Sequence, residues 1–177
     1  MAARSSDLAA RLGKQGPFSS PEQEAYLHVL RAHNRLAEPI DRLLRSHGVS
    51  QPLYNILRIL RGHLGKAGAS GRAFHGVPVL RIGEEMVTRE PDITRLVDRL
   101  EKQSLAVRCR CEEDRRIVYV RITEQGLALL ARIEPEIDAI HRRQFGRLGV
   151  EELRMLSDLL FRASDATDPG DHPASAR

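Results

Sequence analysis

Residues 93–126, ITRLVDRLEKQSLAVRCRCEEDRRIVYVRITEQG, decide the fold. Apolar side chains at positions 93, 96, 97 and 100 have the spacing of one buried helix face. Two segments of alternating apolar and polar residues follow, and a period of two is typical of half-buried strands. The apolar residues of these strands are Val107, Cys109, Cys111, Val118, Val120 and Ile122. The charged residues 112–116 between them predict a tight turn, so the stretch indicates a helix followed by a β-hairpin.

The residues just before this stretch predict a second helix. Apolar residues between Leu80 and Val87 indicate a short helix, and a turn at 87–89 leads to the helix near Pro91–Gln103. Two helices joined by a short turn form a helix-turn-helix. A hairpin with a basic tip then makes the unit a winged helix-turn-helix, which we place over residues 48–122.

A long helix is predicted on the N-terminal side. Ser20 can cap it and Pro21 suits its first turn, and the apolar pattern that follows ends near His47. Pro39 lies inside this pattern, where its ring and its missing N–H should kink the helix. We therefore expect one kinked helix over residues 21–47.

The next helix and its end are predicted from caps and glycines. Ser50 can cap this helix, with Pro52 in its first turn. We expect the helix to dissolve into a flexible stretch over residues 62–76, because that stretch contains five glycines.

Two more helices are predicted after the hairpin, and they bear on oligomerisation. Thr123 can cap the first of them, and a second apolar pattern begins at Val150. Residues 21–47 and 123–163 carry apolar faces that one small winged helix cannot cover. We therefore expect these N- and C-terminal helices to form a homodimerisation region.

Length and composition fit a mostly α (α+β) protein with one main domain. The chain has 177 residues, of which 41% are hydrophobic, and a net charge of +4. The domain should span residues 21–163, between a flexible arm at 1–20 and a flexible tail at 164–177. No apolar stretch reaches the roughly 18 residues of a membrane span. No secretory signal is recognisable either, so we expect a cytoplasmic protein without a membrane partner.

Three segments, in this order along the chain, give the sequence a resemblance to the MarR family. Gly48-Val49-Ser50 looks like the entry to the family's second helix, and residues 93–101 look like its recognition helix. The strongest segment is Asp114-Arg115-Arg116 followed by residues 120–126, which is similar to the family's wing signature. One departure is Ser104, which stands where the family commonly has glycine.

The resemblance implies a transcription regulator without enzymatic activity. It implies a homodimer that binds double-stranded DNA at a pseudo-palindromic operator, with half-sites about one helical turn apart. A repressor is the expected form. It also implies a pocket for a small-molecule effector between the dimer region and the DNA-binding heads, although the identity of the effector is unknown.

Candidate DNA contacts follow from the chemistry of the recognition helix and its surroundings. Arg95 can donate two hydrogen bonds to guanine, and Thr94 can contact a thymine methyl or a phosphate. Arg89 and Arg99 suit phosphates, and Asp92 can accept from cytosine N4 or pair with an arginine. A wing arginine can enter the narrow minor groove.

The wing and a second helix start add further candidates. By resemblance, Arg116 is the residue that enters the minor groove, with Arg115 beside it and Asp114 orienting it. Ser50 and Gln51 lie at a helix N-terminus, where free N–H groups can contact a phosphate.

An alternative interpretation of the same residues is an exposed, salt-bridged helix surface. Residues 81–121 contain ten basic and nine acidic residues, a net charge of +1. DNA affinity should then come from individually placed arginines and from dimerisation rather than from a broad basic field. A protein-interaction module on the same fold, without DNA binding, therefore stays open as a second function.

Other chemistries find weaker support. Gly65-Lys66 lacks the rest of a phosphate-binding loop, and His63 and His75 have no third ligand at a telling spacing, so we expect no cofactor and no metal. Cys109 and Cys111 share one strand face, where they suit buried small hydrophobic residues. A redox-sensing thiol beside the neighbouring arginines is the alternative.

Overall fold

A computed structural model describes residues 5–71, 74–88, 90–110 and 118–165. The chain divides into two compact units, residues 1–137 and 138–177. The elements, in chain order, are α1 (Ser5–Arg11), α2 (Pro21–Ser46), α3 (Gln51–Ser70), β1 (Val77–Pro78), α4 (Val79–Glu84), α5 (Ile93–Lys102), β2 (Ala106–Arg110), β3 (Val118–Ile122), α6 (Glu124–Phe145) and α7 (Val150–Asp165). None of the helices within these residues is both long and apolar enough to cross a membrane.

The three strands form one small antiparallel sheet in the order β1-β3-β2. Strands β2 and β3 pair as the sequence predicts, with Cys109 opposite Tyr119. Strand β1 was not predicted, because its two residues are too few to show an alternating pattern. It adds to the free edge of β3, with Val77 opposite Val120. The helix-turn-helix and its sheet therefore form one continuous structure, which confirms the winged helix.

The core of the first unit is built from aliphatic side chains of several elements. Fully buried residues come from α2, α3, β1, α4, α5, β3 and α6, and include Leu44, Leu57, Leu100, Val120 and Leu130. Each contributes about 1.5–3 kcal/mol relative to an exposed position. This shared core holds the helix-turn-helix, the sheet and the start of α6 together.

The predicted helix starts are largely confirmed. The hydroxyl of Ser20 accepts a hydrogen bond from the backbone N–H of Gln23, at 3.2 Å. The hydroxyl of Thr123 accepts one from Gly126 N–H, at 3.1 Å. Ser50 occupies the cap position of α3, but its hydroxyl makes no capping bond in that helix. Helix α2 runs through Pro39 as one helix, as expected, and the kink at Pro39 stays a prediction.

The prediction that residues 62–76 are flexible is wrong over its first half. Helix α3 continues through three glycines to Ser70 and ends at Gly71, which takes a left-handed φ of 65°. Each interior glycine costs about 1 kcal/mol relative to alanine. The buried stripe of Leu53, Leu57 and Leu60 outweighs this cost, so packing overrides local propensity.

The first twenty residues and the first predicted helix also differ from expectation. The arm contains α1, with Leu8 only 3% exposed, where a loosely ordered segment was expected. Helix α4 confirms the short helix after Leu80, but it ends at Glu84, before Val87.

The predicted facing of strand β2 is reversed. Val107 is 44% exposed, while Ala106 is buried and the Arg108 side chain is 23% exposed. Ala106 lies opposite Ile122 and Arg108 lies opposite Val120, so these residues share the inner face of the sheet. The alternation was recognised correctly, but its phase was assigned to the wrong face.

Candidate nucleic-acid interface

The start of helix α5 is fixed by Asp92. This residue occupies the cap position, and its carboxylate Oδ1 accepts a hydrogen bond from Arg95 N–H at 2.9 Å. A carboxylate here satisfies a free helix N–H and favours the positive end of the helix dipole. Asp92 was predicted to contact DNA, and in the structure its carboxylate holds the helix start.

The face of α5 opposite the core is mainly cationic, and Asp98 is the one acidic residue among its cations. Val97 and Leu100 are fully buried, whereas Arg95, Arg99 and Lys102 are all exposed. These three residues, which we call the basic stripe, are spaced at i, i+4 and i+7, so they lie on one face of the helix. None of them forms an ion pair within the part of the chain that the structure describes. Three positive side chains are therefore available to a polyanion.

Lys102 was missed by the sequence analysis. Its spacing of three from Arg99, inside the predicted helix, was the available signal. Arg95 and Arg99 were both predicted, and both lie on the stripe.

The acidic residues of α5, Asp98 and Glu101, lie beside the basic stripe and form ion pairs with Arg108 of β2. The Arg108 guanidinium Nη1 lies 2.6 Å from Asp98 Oδ1 and also contacts a carboxylate oxygen of Glu101. Its Nη2 donates to the carbonyl of Thr94 at 3.0 Å, and its backbone N–H donates to Glu101 Oε1 at 2.8 Å. The Thr94 side chain itself is exposed. Helix α5 therefore exposes three cations, and Arg108 pairs with its two carboxylates, of which Asp98 is 49% exposed and Glu101 31% exposed.

The turn after α5 ties the helix to two neighbouring segments. Ser104 adopts a left-handed φ of 57°, a backbone conformation that favours glycine. The carbonyl of Ser104 accepts from the Thr123 hydroxyl at 2.8 Å. The Gln103 side chain donates to the Gly48 carbonyl at 3.0 Å. These bonds fix the end of α5 to α6 and to the α2–α3 link.

A pocket of about 290 Å³ lies at this junction. Val49, Leu105 and Leu129 give it an apolar floor, and all three are buried. Arg132 and His47 contribute polar groups at its edge, and His47 Nε2 lies 3.2 Å from Glu136 Oε1. A shape of this kind suits a small molecule with an apolar body and a polar or anionic group.

The other predicted site residues are placed as follows. Gln51 is exposed in the first turn of α3, next to the half-buried Ser50. Cys109 is a half-buried free thiol on the outer face of the sheet. The remaining ones, Arg89, Cys111, Asp114, Arg115 and Arg116, lie outside the described residues.

One histidine considered as a metal ligand is engaged elsewhere. His63 Nε2 lies 2.9 Å from Glu85 Oε2, and this hydrogen bond, helped by Arg81, lowers the pKa of Glu85. Within residues 5–71, 74–88, 90–110 and 118–165, no group of three or more His, Cys, Asp or Glu side chains could hold a metal ion.

Comparisons with known proteins agree with this geometry. No protein-family model matches the chain. A MarR transcription factor of known structure from Planctomyces limnophilus is 36% identical, with a TM-score of 0.59, over 81% of this chain and 97% of that one. The transcriptional repressor IacR of Pseudomonas putida is 26% identical over 139 residues, which are 78% of this chain and 77% of the repressor.

A third relative is known in complex with DNA. Sco3205, a MarR family regulator from Streptomyces coelicolor, is 22% identical, with a TM-score of 0.70, over 86% of this chain and 94% of that one. At this identity the likeness concerns the fold alone, whereas the Planctomyces limnophilus protein shares sequence as well.

Proposed function

Because this chain belongs to the MarR family of winged helix-turn-helix transcription regulators, we propose that it represses transcription by binding a pseudo-palindromic operator as a homodimer. As a member of that family it is a DNA-binding regulator and not an enzyme. IacR, to which it is similar, is described as a repressor. The basic stripe of α5 is the observation that supports DNA recognition most directly.

The stripe suits a helix that lies in the major groove. The N-terminal half of such a helix meets base edges, so Arg95 would read a guanine, and Thr94 would contact a thymine methyl or a phosphate. Arg99 and Lys102 lie further along the same face and would hold phosphates. The wing residue Arg116, with Arg115 beside it, would enter the minor groove, as the resemblance implies.

Helices α2 and α7 each support a homodimer. Helix α7 has no buried residue, and it exposes Val150, Met155, Leu159, Leu160 and Phe161. Helix α2 exposes Tyr26, Val29 and Leu30. Several exposed large apolar side chains on one helix favour a protein interface. A second copy supplies the same faces under twofold symmetry, and two heads then match two half-sites.

The pocket beside α5 is our candidate effector site. Residues from the α2–α3 link, from the turn after α5 and from α6 line it. A small molecule bound there would favour one arrangement of these elements, and DNA affinity would change by the difference in its affinity for the two states. A screen for small molecules that release DNA, repeated on Arg132→Ala, tests this. Equal potency on both proteins would argue against this pocket.

The DNA-binding proposal is tested by selecting duplexes from a random pool with the wild-type chain and measuring affinity by fluorescence anisotropy. Arg95→Ala should lose about 1–3 kcal/mol of binding free energy and relax preference at one base pair in each half-site. Arg121→Ala is the control, because it removes the same charge from an exposed position on the sheet. No selected sequence, or equal affinity for all three proteins, would contradict the proposal and favour a protein-interaction module.

A further inference from the structure

We propose that Arg108 is a positioning residue for DNA binding. It holds α5 against strand β2, and it neutralises the two carboxylates of α5 that would otherwise repel the DNA phosphates. This inference rests on the proposed function, and it assigns a role to a residue outside the DNA-contact surface.

The geometry supports the first half of this role. The Arg108 side chain contacts Thr94, Asp98 and Glu101, which are spaced at i, i+4 and i+7 and so form one flank of α5. One guanidinium therefore spans two turns of the helix. A planar group with several fixed donors holds such an arrangement better than a flexible ammonium would. The backbone N–H of Arg108 adds a bond to Glu101, which joins the strand as well as the side chain to α5.

The charges of α5 support the second part of this role, the neutralisation of its two carboxylates. Helix α5 carries the three cations of the basic stripe and the two carboxylates of Asp98 and Glu101 within one helix diameter, about 10 Å. That distance is similar to the Debye length of about 8–10 Å at physiological salt. The carboxylates therefore lie within electrostatic reach of any phosphate that the stripe binds. Arg108 offsets this repulsion from the side away from the stripe.

Arg108 is itself poorly placed to bind a phosphate. Its side chain is 23% exposed, and its guanidinium already contacts two carboxylates and one carbonyl. Arg121 is the matched arginine on the neighbouring strand. It lies opposite Val107 on the outer face, is exposed, and makes no ion pair within the described ranges. Both substitutions remove one positive charge from the same sheet, but only one uncovers the carboxylates.

The test compares wild type, Arg108→Met, Arg121→Met, Arg108→Lys and the triple variant Arg108→Met, Asp98→Asn, Glu101→Gln. Affinity is measured by anisotropy on a duplex selected by the wild-type chain, at low and at high salt. We expect Arg108→Met to bind about tenfold or more weakly at low salt, because like charges then face each other across the interface. The deficit should shrink as salt rises. Arg121→Met should change affinity by less than about threefold.

The triple variant distinguishes neutralisation of the two carboxylates by Arg108 from a direct contact of Arg108 with DNA. The triple variant has no cation at 108 and no carboxylates at 98 and 101, so it should regain most of the lost affinity. Arg108→Lys should regain part of the lost affinity, because lysine restores the charge without the planar guanidinium and its fixed donors. A folded triple variant that binds as weakly as Arg108→Met would overturn the charge-covering role. So would an Arg108→Met protein that binds like wild type.

Hydrogen exchange without DNA tests the positioning role separately. Amides of α5 should exchange faster in Arg108→Met than in Arg121→Met, and unchanged exchange would overturn this role. A wild-type chain that selects no duplex would overturn the proposed function and the charge-covering role that rests on it. Selection by wild type with no effect of Arg108→Met overturns this inference alone.

Discussion

Helices α5 and α7 are both amphipathic, but of the two only α5 has buried residues within the described part of the chain. Helix α5 buries Val97 and Leu100, and Arg108 covers its acidic flank. Helix α7 is longer, yet none of its residues is buried. An amphipathic pattern therefore does not by itself say whether a helix is buried within its own chain. The buried face of α5 packs against its own chain, whereas the exposed apolar side chains of α7 are the ones that we assign to the proposed dimer interface.

Polar contacts reinforce the first unit in addition to its core. Arg61 of α3 donates two hydrogen bonds to the carboxylate of Glu134 in α6, both at 2.5 Å. This pairing raises the pKa of Arg61. A two-point bond between a guanidinium and a carboxylate fixes orientation as well as distance. Helix α6 is therefore fixed to α3 about halfway along its length.

The largest predicted effect concerns the packing of the unit that contains α5. At Gly126 an added Cβ would lie far inside contact distance of the Leu105 carbonyl and 2.8 Å from Ile122 Cγ1. We expect Gly126→Ala to lower the free energy of unfolding by about 2–4 kcal/mol, because α6 must move away from the turn after α5. Denaturant unfolding followed by circular dichroism measures this.

Gly65→Ala is the matched control for that substitution. It lies in α3 with nothing within 4 Å of an added Cβ. Alanine should raise helix stability there by about 0.5–1 kcal/mol. Equal effects at the two glycines would contradict the close approach at Gly126.

The second predicted effect concerns α7, which we place in the proposed dimer interface. Leu160 of α7 is 43% exposed, so Leu160→Asp should cost little within one chain. At a dimer interface the change occurs twice, and we expect about 2 kcal/mol per copy, or roughly 30-fold in the dissociation constant for each. Sedimentation velocity over a range of concentrations measures it.

Leu160→Met keeps the position apolar and should leave the dimer intact. If Leu160→Asp dimerises like wild type, α7 lies outside the interface. If it unfolds the first unit instead, the contrast between α5 and α7 is lost.

How far the sequence predicts this molecule depends on whether the signal is local. The caps at Ser20 and Thr123 and the apolar stripe of α5 are local patterns, and the structure confirms them. The facing of β2 is not local, because alternation alone permits either phase. Only the carboxylates of α5, brought close by folding, make the inner face suitable for Arg108. For the same reason, the pairing of Arg108 with Asp98 and Glu101 could not be predicted from the spacing of residues in the sequence.

The glycines of α3 show that a local pattern can also give a wrong prediction. Local propensity predicted a break at Gly62, but the buried leucines earlier in α3 carry the helix to Ser70. At Ser104 the sequence showed a departure from the family pattern, and its cost became clear only when the backbone φ was known.

The smallest predicted effect concerns Ser104, at the junction on which the α5 side of the comparison depends. A left-handed φ costs an L-residue roughly 1–2 kcal/mol, and glycine avoids this cost while losing more freedom on folding. The hydrogen bonds at this position come from backbone atoms: Ser104 N–H donates to Glu101, and the Ser104 carbonyl accepts from Thr123. Glycine keeps both bonds, so Ser104→Gly should raise the free energy of unfolding by about 0.5–1 kcal/mol.

Thermal unfolding of Ser104→Gly beside Ser70→Gly distinguishes this explanation from a general effect of glycine. Ser70 lies in the last turn of α3, where glycine should lower stability by a few tenths of a kcal/mol or more. Opposite signs at the two serines would locate the strain in the backbone of the turn after α5. A loss of stability at both would mean that the serine side chain at 104 contributes more than its φ costs. The end of α5 would then depend on a contact of that hydroxyl rather than on backbone geometry.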